Sequence, residues 1–115
     1  MLLRSMLKGK IHRATVTEAD VNYIGSITID SALLERIDLW AGELVHVWNA
    51  TNGERIETYV IAGEPGSGII CMNGPAAHLI HVDDIIIIAA FALTDVPIQP
   101  KAIMVDERNH YLRDL

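Results

Sequence analysis

The sequence contains a single cysteine, no long apolar run and no apolar region of secretory length near its start. Because Cys71 has no second cysteine to pair with, an intramolecular disulfide is excluded, which is typical of a reducing compartment. The longest apolar run, Ile85–Leu93, has nine residues, about half of a membrane-spanning helix, and is better explained as a buried strand. We therefore expect a cytoplasmic protein with no signal peptide and no membrane partner.

Basic residues are also scarce. The chain has 9 lysines and arginines against 15 aspartates and glutamates, so its formal net charge is −6. Proteins that follow the backbone of a nucleic acid are usually basic, so we expect no nucleic-acid partner. The one basic segment, "RSMLKGKIHR" at residues 4–13, is interpreted as a solvated strand.

Motifs for metal binding, phosphate binding and hydrolase catalysis are also incomplete or missing. His78 and His81 are three residues apart, but no third ligand follows at a recognisable spacing, and we predict no metal site. The segment "GEPGSG" lacks the lysine of a phosphate-binding P-loop and is interpreted as a turn. No G-x-S-x-G motif occurs, so a hydrolase triad has no local support.

What the sequence does have is a large apolar fraction in a short chain. Half of its 115 residues are apolar and only 21% are charged. That composition predicts one well-buried domain spanning residues 1–115. Such a small chain can also bury apolar surface between subunits, which favours an oligomer.

Short alternating segments separated by turn residues predict an all-β fold, a compact β-barrel of six or seven strands with one or two short helices. The first strand is predicted within residues 10–21, with alternate residues His12, Ala14 and Val16 on one face. A helix is predicted to begin after Asp30 or Ser31 and to stop at Gly42. Its buried stripe is formed by Leu33, Leu34 and Ile37.

The strongest local signal is the pair Asn52-Gly53 between two strand-like runs. This pair is favoured in tight primed turns, so we predict a β-hairpin over residues 43–63. The other predicted elements are a loop at 64–68, strands at 69–73, 84–93 and 102–105, and one helical turn at 76–80.

The segment "VNYIGSITID", residues 21–30, raises a different question. Good strand formers surround Gly25-Ser26, so a strand is predicted at residues 23–29. A glycine inside a strand usually marks a bulge, a bend or a close backbone approach. A serine hydroxyl can attack the preceding peptide carbonyl if the backbone is strained and the oxyanion is stabilised. A glycine before the serine gives that backbone unusual freedom. The ester so formed can eliminate, which cuts the chain and leaves a terminal pyruvoyl group in place of Ser26.

Three separated segments extend this hypothesis from one dipeptide to a family. They are "MLKGKIHRATVTEADVNYIGS", "WNATNGERIETYVI" and "MNGPAAH", and together they resemble the pyruvoyl-dependent aspartate 1-decarboxylases of bacteria. The resemblance covers residues 1–93 and leaves the tail after Thr94 without an assignment. It implies a double-psi β-barrel, a homotetramer with active sites between subunits, and β-alanine production from L-aspartate for pantothenate and coenzyme A synthesis.

The resemblance also implies roles for individual residues. Cleavage between residues 25 and 26 would give chains 1–25 and 26–115, with Ser26 converted to the covalent pyruvoyl cofactor. That ketone forms a Schiff base with the substrate amine, so no metal and no pyridoxal phosphate are expected. Thr58 resembles the residue that polarises the Gly25 carbonyl, and Tyr59 resembles the acid that protonates the product carbanion.

Substrate binding is assigned in the same way. Arg55 can hold a carboxylate with a bidentate fork, and Lys10 supplies the second cation that a dicarboxylate requires. The residues implied to orient substrate and pyruvoyl are Asn73, Gly74, Pro75 and Ala76. Weaker lining candidates are His12, Tyr23 and Trp48.

Several alternatives stay open on the sequence alone. A processed Ser26 could keep its hydroxyl and act as the nucleophile of a hydrolase, or the barrel could be a non-enzymatic binding module. Thr58 and Tyr59 are adjacent, so on a regular strand they point to opposite faces, and one site can use both only if the strand twists or bulges. The need for a maturation helper protein is also left open.

Overall fold

The computed structural model describes all 115 residues, and strands dominate it. The nine strands are β1 (Arg4–Thr15), β2 (Glu18–Asp20), β3 (Ser26–Asp30), β4 (Leu44–Asn49), β5 (Arg55–Gly63), β6 (Ile70–Asn73), β7 (Ile85–Thr94), β8 (Lys101–Val105) and β9 (Tyr111–Asp114). The helical segments are α1 (Ser31–Arg36) and a 3-10 helix (Gly74–His78). The prediction of an all-β fold with one or two short helices is confirmed, although the predicted number of strands, six or seven, is lower than the nine observed.

The strands form a single mixed ladder in the order β2-β6-β3-β5-β4-β7-β1-β8-β9. Three neighbouring pairs are parallel, namely β1 with β8, β2 with β6, and β3 with β5. The ladder curves around one core of 20 buried apolar residues, and hydrogen bonds do not close it between β2 and β9. The fold is therefore of the β-barrel type. Its parallel pairs join segments distant in sequence, which local patterns do not reveal.

Strand β1 departs from the predicted alternation. Its pairing with β7 shifts between Ile11 and Ala14, where Arg13 adopts a left-handed φ of 63°. This bulge adds a residue, so Ile11 and Ala14 are both fully buried although they are three apart. The prediction that His12, Ala14 and Val16 share a face opposite Ile11 is therefore wrong.

Strand β3 begins later than predicted. It starts at Ser26, while Tyr23 and Ile24 lie before it and are exposed. Gly25 is consequently the last residue before a strand and does not interrupt one. The prediction of a strand from Tyr23 to Ile29 is correct only from Ser26 onward.

Helix α1 follows β3 without a loop because Asp30 caps it. The Asp30 carboxylate accepts a hydrogen bond from the amide of Ala32 at 2.8 Å. The predicted stripe of Leu33, Leu34 and Ile37 is buried. The helix ends at Arg36, before Asp38 adopts a left-handed φ of 53°, so the predicted stop at Gly42 is wrong. No helix in the structure is long and apolar enough to cross a membrane.

Strands β4 and β5 form the predicted antiparallel hairpin. The connection is a loop over residues 50–54, closed by the Gly53 amide donating to the Asn49 carbonyl at 2.8 Å. The primed turn suggested by the Asn-Gly pair needs a left-handed φ at both residues. Gly53 has one, 82°, but Asn52 does not. The predicted hairpin is confirmed, but the predicted two-residue turn is wrong.

The tail after Thr94 is part of the sheet. The strand predicted at 102–105 is confirmed as β8, which pairs in parallel with β1, and β9 pairs with β8. Between them the fully buried Asn109 accepts from the Thr15 amide and donates to the Thr15 and Gly68 carbonyls, each at 2.8 Å. The tail therefore fastens the end of β1 to the loop before β6.

Candidate active site

A gap in the sheet lies where β5 changes partners. Residues Arg55–Tyr59 pair with β4, and Val60–Gly63 pair in parallel with β3. Because β3 begins at Ser26, no strand covers the other edge of β5 before Val60. The start of β3 therefore opens into a cavity beside that uncovered edge.

The cavity has a volume of about 410 Å³. Its lining residues are Gly25, Ser26, Ile56, Glu57, Thr58, Tyr59, Asn73, Pro75, Ala76 and Leu79. Most of the predicted site residues are thus brought together by β3, β5, β6 and the 3-10 helix. The lining residues are separated by up to 54 positions in sequence, counted from Gly25 to Leu79.

Ser26 is anchored at the inner end of this cavity. It lies opposite Asn73 in the antiparallel pairing of β3 with β6, and both side chains are buried. The Asn73 carboxamide nitrogen donates to Ser26 Oγ at 2.8 Å and to Thr28 Oγ1 at 3.0 Å. Its carboxamide oxygen accepts from Cys71 Sγ at 3.2 Å. The predicted nucleophile therefore has a hydrogen-bond donor in place before any reaction.

Gly74 allows the 3-10 helix to approach the Gly25 backbone. Gly74 has a left-handed φ of 68°, and a Cβ there would lie 2.8 Å from the Gly25 N and Cα and from the Tyr23 carbonyl oxygen. Only glycine fits this position without displacement. Gly25 is different, because its φ is not left-handed and a Cβ would meet only ordinary contacts, the nearest being Pro75 Cδ at 3.5 Å. In the uncleaved chain, Gly25 therefore has a backbone conformation that other residues could also adopt.

Thr58 and Tyr59 line the same cavity despite their adjacency. The cavity lies along an uncovered strand edge, so residues from both faces of β5 can border it. Thr58 is half-buried and Tyr59 is 41% exposed. The geometric objection raised by strand alternation is therefore removed at this position.

Arg55 and Lys10 do not line the serine cavity within one chain. The Arg55 guanidinium stacks over the Trp48 ring at 4.6 Å and borders a neighbouring cavity of about 330 Å³. Glu57 borders both cavities, so the two adjoin. Lys10 is half-buried on β1, between Ala89 of β7 and Ala102 of β8 in the pairing.

The weaker lining candidates also lie outside the serine cavity. His12 has a buried ring nitrogen, Nδ1, without a hydrogen-bond partner, and burial together with Lys10 and Arg13 lowers its pKa. Tyr23 is exposed, and it contributes its backbone carbonyl beside Gly74.

No group of three or more histidine, cysteine or acidic side chains is placed to hold a metal ion. His81 instead bonds locally, with its Nε2 3.1 Å from the His78 carbonyl oxygen.

Five residues around the site were not predicted from the sequence. Ile56, Glu57 and Leu79 line the cavity, and Thr28 and Cys71 contact Asn73. Cys71 carried a usable signal, since it is two residues before Asn73 on a predicted strand and therefore shares its face. Thr28 carried none, because its contact depends on how two strands pair.

The chain belongs to the aspartate decarboxylase family, whose sequence profile matches residues 2–112. It is 54% identical over 113 residues to the aspartate 1-decarboxylase of Listeria monocytogenes strain EGD-e, covering 95% of this chain and 89% of that protein. Aspartate 1-decarboxylases of Listeria welshimeri and Listeria innocua are each 52% identical over the same shares. The predicted family and the prediction of an enzyme are confirmed. The match also extends past Thr94, so the tail belongs to the family as well.

Proposed function

We propose that the protein decarboxylates L-aspartate to β-alanine and carbon dioxide, using a pyruvoyl group made by self-cleavage between Gly25 and Ser26. The observation that carries this proposal is the buried Ser26 hydroxyl, which receives a hydrogen bond from Asn73 beside a substrate-sized cavity. Family membership and the names of the relatives support the choice of aspartate. The β-alanine so formed would supply pantothenate and coenzyme A synthesis in the cytoplasm.

The cleavage chemistry uses atoms of the chain and one water molecule. Ser26 Oγ adds to the Gly25 carbonyl carbon, the C–N bond breaks, and an ester replaces the amide. Loss of the α-hydrogen of residue 26 then breaks its Cβ–Oγ bond and leaves a carboxylate on Gly25. The resulting alkene-amine takes up water and releases ammonia, which leaves the ketone of a pyruvoyl group on chain 26–115.

Two hydrogen-bond donors assist these cleavage steps. The Asn73 amide stabilises the negative charge that grows on Ser26 Oγ as its proton leaves, because a preorganised donor needs no rearrangement during the reaction. We assign to Thr58 the hydrogen bond to the oxyanion formed at the Gly25 carbonyl. Its place on the wall of the same cavity as Gly25 supports that role.

The residues around Ser26 fit a pyruvoyl group. The position is buried, faces a cavity and has an amide donor that can bond a carbonyl oxygen. Such a group would supply a ketone for covalent binding of the substrate amine and an electron sink for the bond to the departing carboxylate. The Tyr59 phenol is the proposed proton donor to carbon. Orientation of the substrate is assigned to Asn73, Gly74, Pro75 and Ala76.

Arg55 and Lys10 are proposed to bind the two carboxylates of the substrate in an active site formed between neighbouring subunits. They lie outside the serine cavity of their own chain. Large apolar side chains are exposed on the surface, among them Leu44 on β4 and Phe91 and Leu93 on the adjacent β7. Exposed apolar side chains on neighbouring strands can pack against another subunit, which supports the homotetramer implied by the resemblance.

Intact-mass measurement of purified protein tests the proposal. Mature protein should separate into chains of residues 1–25 and 26–115, and Ser26→Ala should remain one chain without β-alanine formation. Hydroxylamine, a carbonyl reagent, should inactivate mature protein but spare a hydrolase that uses the Ser26 hydroxyl. A wild-type chain that stays intact while decarboxylating aspartate would overturn the pyruvoyl mechanism.

A further inference from the structure

The Asn73 carboxamide is held from three sides by buried or half-buried groups. Its nitrogen donates both hydrogens, to Ser26 Oγ at 2.8 Å and to Thr28 Oγ1 at 3.0 Å. Its oxygen accepts from Cys71 Sγ at 3.2 Å. A primary amide has two donors at one end and an acceptor at the other, so each end here has a partner.

A half-turn of this carboxamide would reverse its effect on Ser26. In the observed orientation Ser26 Oγ receives a hydrogen bond, which stabilises negative charge on that oxygen. After a half-turn the carboxamide oxygen would face Ser26 Oγ, where it could only accept and would disfavour an alkoxide. The orientation of Asn73 therefore decides whether the nucleophile is assisted or opposed.

Cys71 is the partner that distinguishes the two orientations. The hydroxyls of Ser26 and Thr28 can each donate or accept, so they fit either end of the amide. A thiol donates its hydrogen but accepts poorly, so it favours the amide oxygen. Burial and the carboxylates of Glu18 and Asp20 on neighbouring β2 raise the Cys71 pKa, and Glu18 also lies within reach of the thiol. The thiol therefore stays protonated, and the hydrogen bond that it makes is the one to Asn73 Oδ1 at 3.2 Å.

We propose that Cys71 is a positioning residue for self-cleavage, fixing the Asn73 carboxamide so that its nitrogen faces Ser26 Oγ. This inference rests on the proposed function, because it assigns Cys71 to the maturation step. Cys71 touches neither the scissile bond nor the substrate in this arrangement and acts only through Asn73.

Two variants test the proposal through cleavage. Cys71→Ala removes the donor, and it should slow conversion of freshly translated precursor about three- to tenfold, the range expected for one ordinary hydrogen bond. Cys71→Ser keeps a donor at this position and should cleave faster than Cys71→Ala. Ile70→Val is the matched control, because it removes one heavy atom from the neighbouring buried residue of β6 without touching the amide. Cleavage is followed by intact mass over time.

Infrared spectroscopy tests the hydrogen bond itself. Cys71 is the only cysteine, so the protein has one S–H stretching band. Replacing Asn73 with alanine should move that band to higher frequency, toward an unbonded thiol. An unmoved band, or a Cys71→Ala precursor that cleaves as fast as Ile70→Val, overturns the inference. If wild type itself never cleaves, the proposed function fails, while the band still decides whether Cys71 holds Asn73.

Discussion

Replacing Gly74 with alanine should damage both stability and maturation. The left-handed φ of 68° costs an L-residue about 1–2 kcal/mol. The new Cβ would also lie 2.8 Å from three backbone atoms of Tyr23 and Gly25. Crowding of this kind adds about 1–3 kcal/mol, so we expect a loss of about 2–5 kcal/mol in the free energy of unfolding.

The same contact predicts the effect on cleavage. Ordinary contact is restored when the Gly25 and Gly74 backbones separate by about 0.6 Å, the difference between 2.8 Å and the 3.4 Å where ordinary contact begins. A displacement of about 1 Å in reacting groups can lower a rate about a hundredfold, so we expect cleavage to slow about ten- to a hundredfold. Urea denaturation measures the first effect, and intact mass over time measures the second.

Gly53→Ala is the matched control. Gly53 also has a left-handed φ, 82°, but a Cβ there would meet nothing within 4 Å. It should therefore lose only about 1–2 kcal/mol and cleave at the normal rate. If Gly74→Ala is as stable as Gly53→Ala and matures equally fast, the close approach does not position the scissile bond.

Thr58→Val should accumulate uncleaved chain, whereas Tyr59→Phe should cleave normally and form β-alanine about a hundred- to ten-thousandfold more slowly; normal maturation of the first or full activity of the second would contradict the roles. Arg55→Ala should mature normally but lose about ten- to a hundredfold in kcat/KM for aspartate, and an unchanged kcat/KM would remove Arg55 from the site. The folded-state pKa of His12 is lowered from 6.5. The stability gained by keeping His12 neutral is therefore complete above pH 6.5 and is lost as the pH falls through the folded-state pKa. In urea titrations His12→Gln should therefore lose less stability than wild type between about pH 7.5 and 5, and an identical pH dependence would show that His12 is not responsible.

The Asp30 carboxylate shows how one side chain links local and tertiary structure. It caps α1 through the Ala32 amide, as its position in the sequence predicts. It also accepts from the amides of Gly66 at 2.9 Å and Gly68 at 2.8 Å, across more than 30 residues. The loop that the sequence marks only as a turn is thereby tied to the start of the helix and, through Asn109, to the tail.

The sequence by itself determined the features that depend on local geometry. Residue alternation and the Asn-Gly pair located the β4–β5 hairpin, and Asp30 with the apolar residues after it located α1. Three separated motifs identified the family. The hairpin and helix predictions succeeded because side-chain spacing and capping chemistry act over a few neighbouring residues.

Only the tertiary structure decided which of those segments meet. The bulge at Arg13 depends on how β1 pairs with β7. The pairing of Ser26 with Asn73 and the shared cavity of Thr58 and Tyr59 depend on where β3 begins beside β5 and β6. Strand pairing between distant segments is set by how the whole core packs, and a shift of one residue would turn each side chain to the other face. For this reason Thr28 could be assigned to the site only from its contact with Asn73.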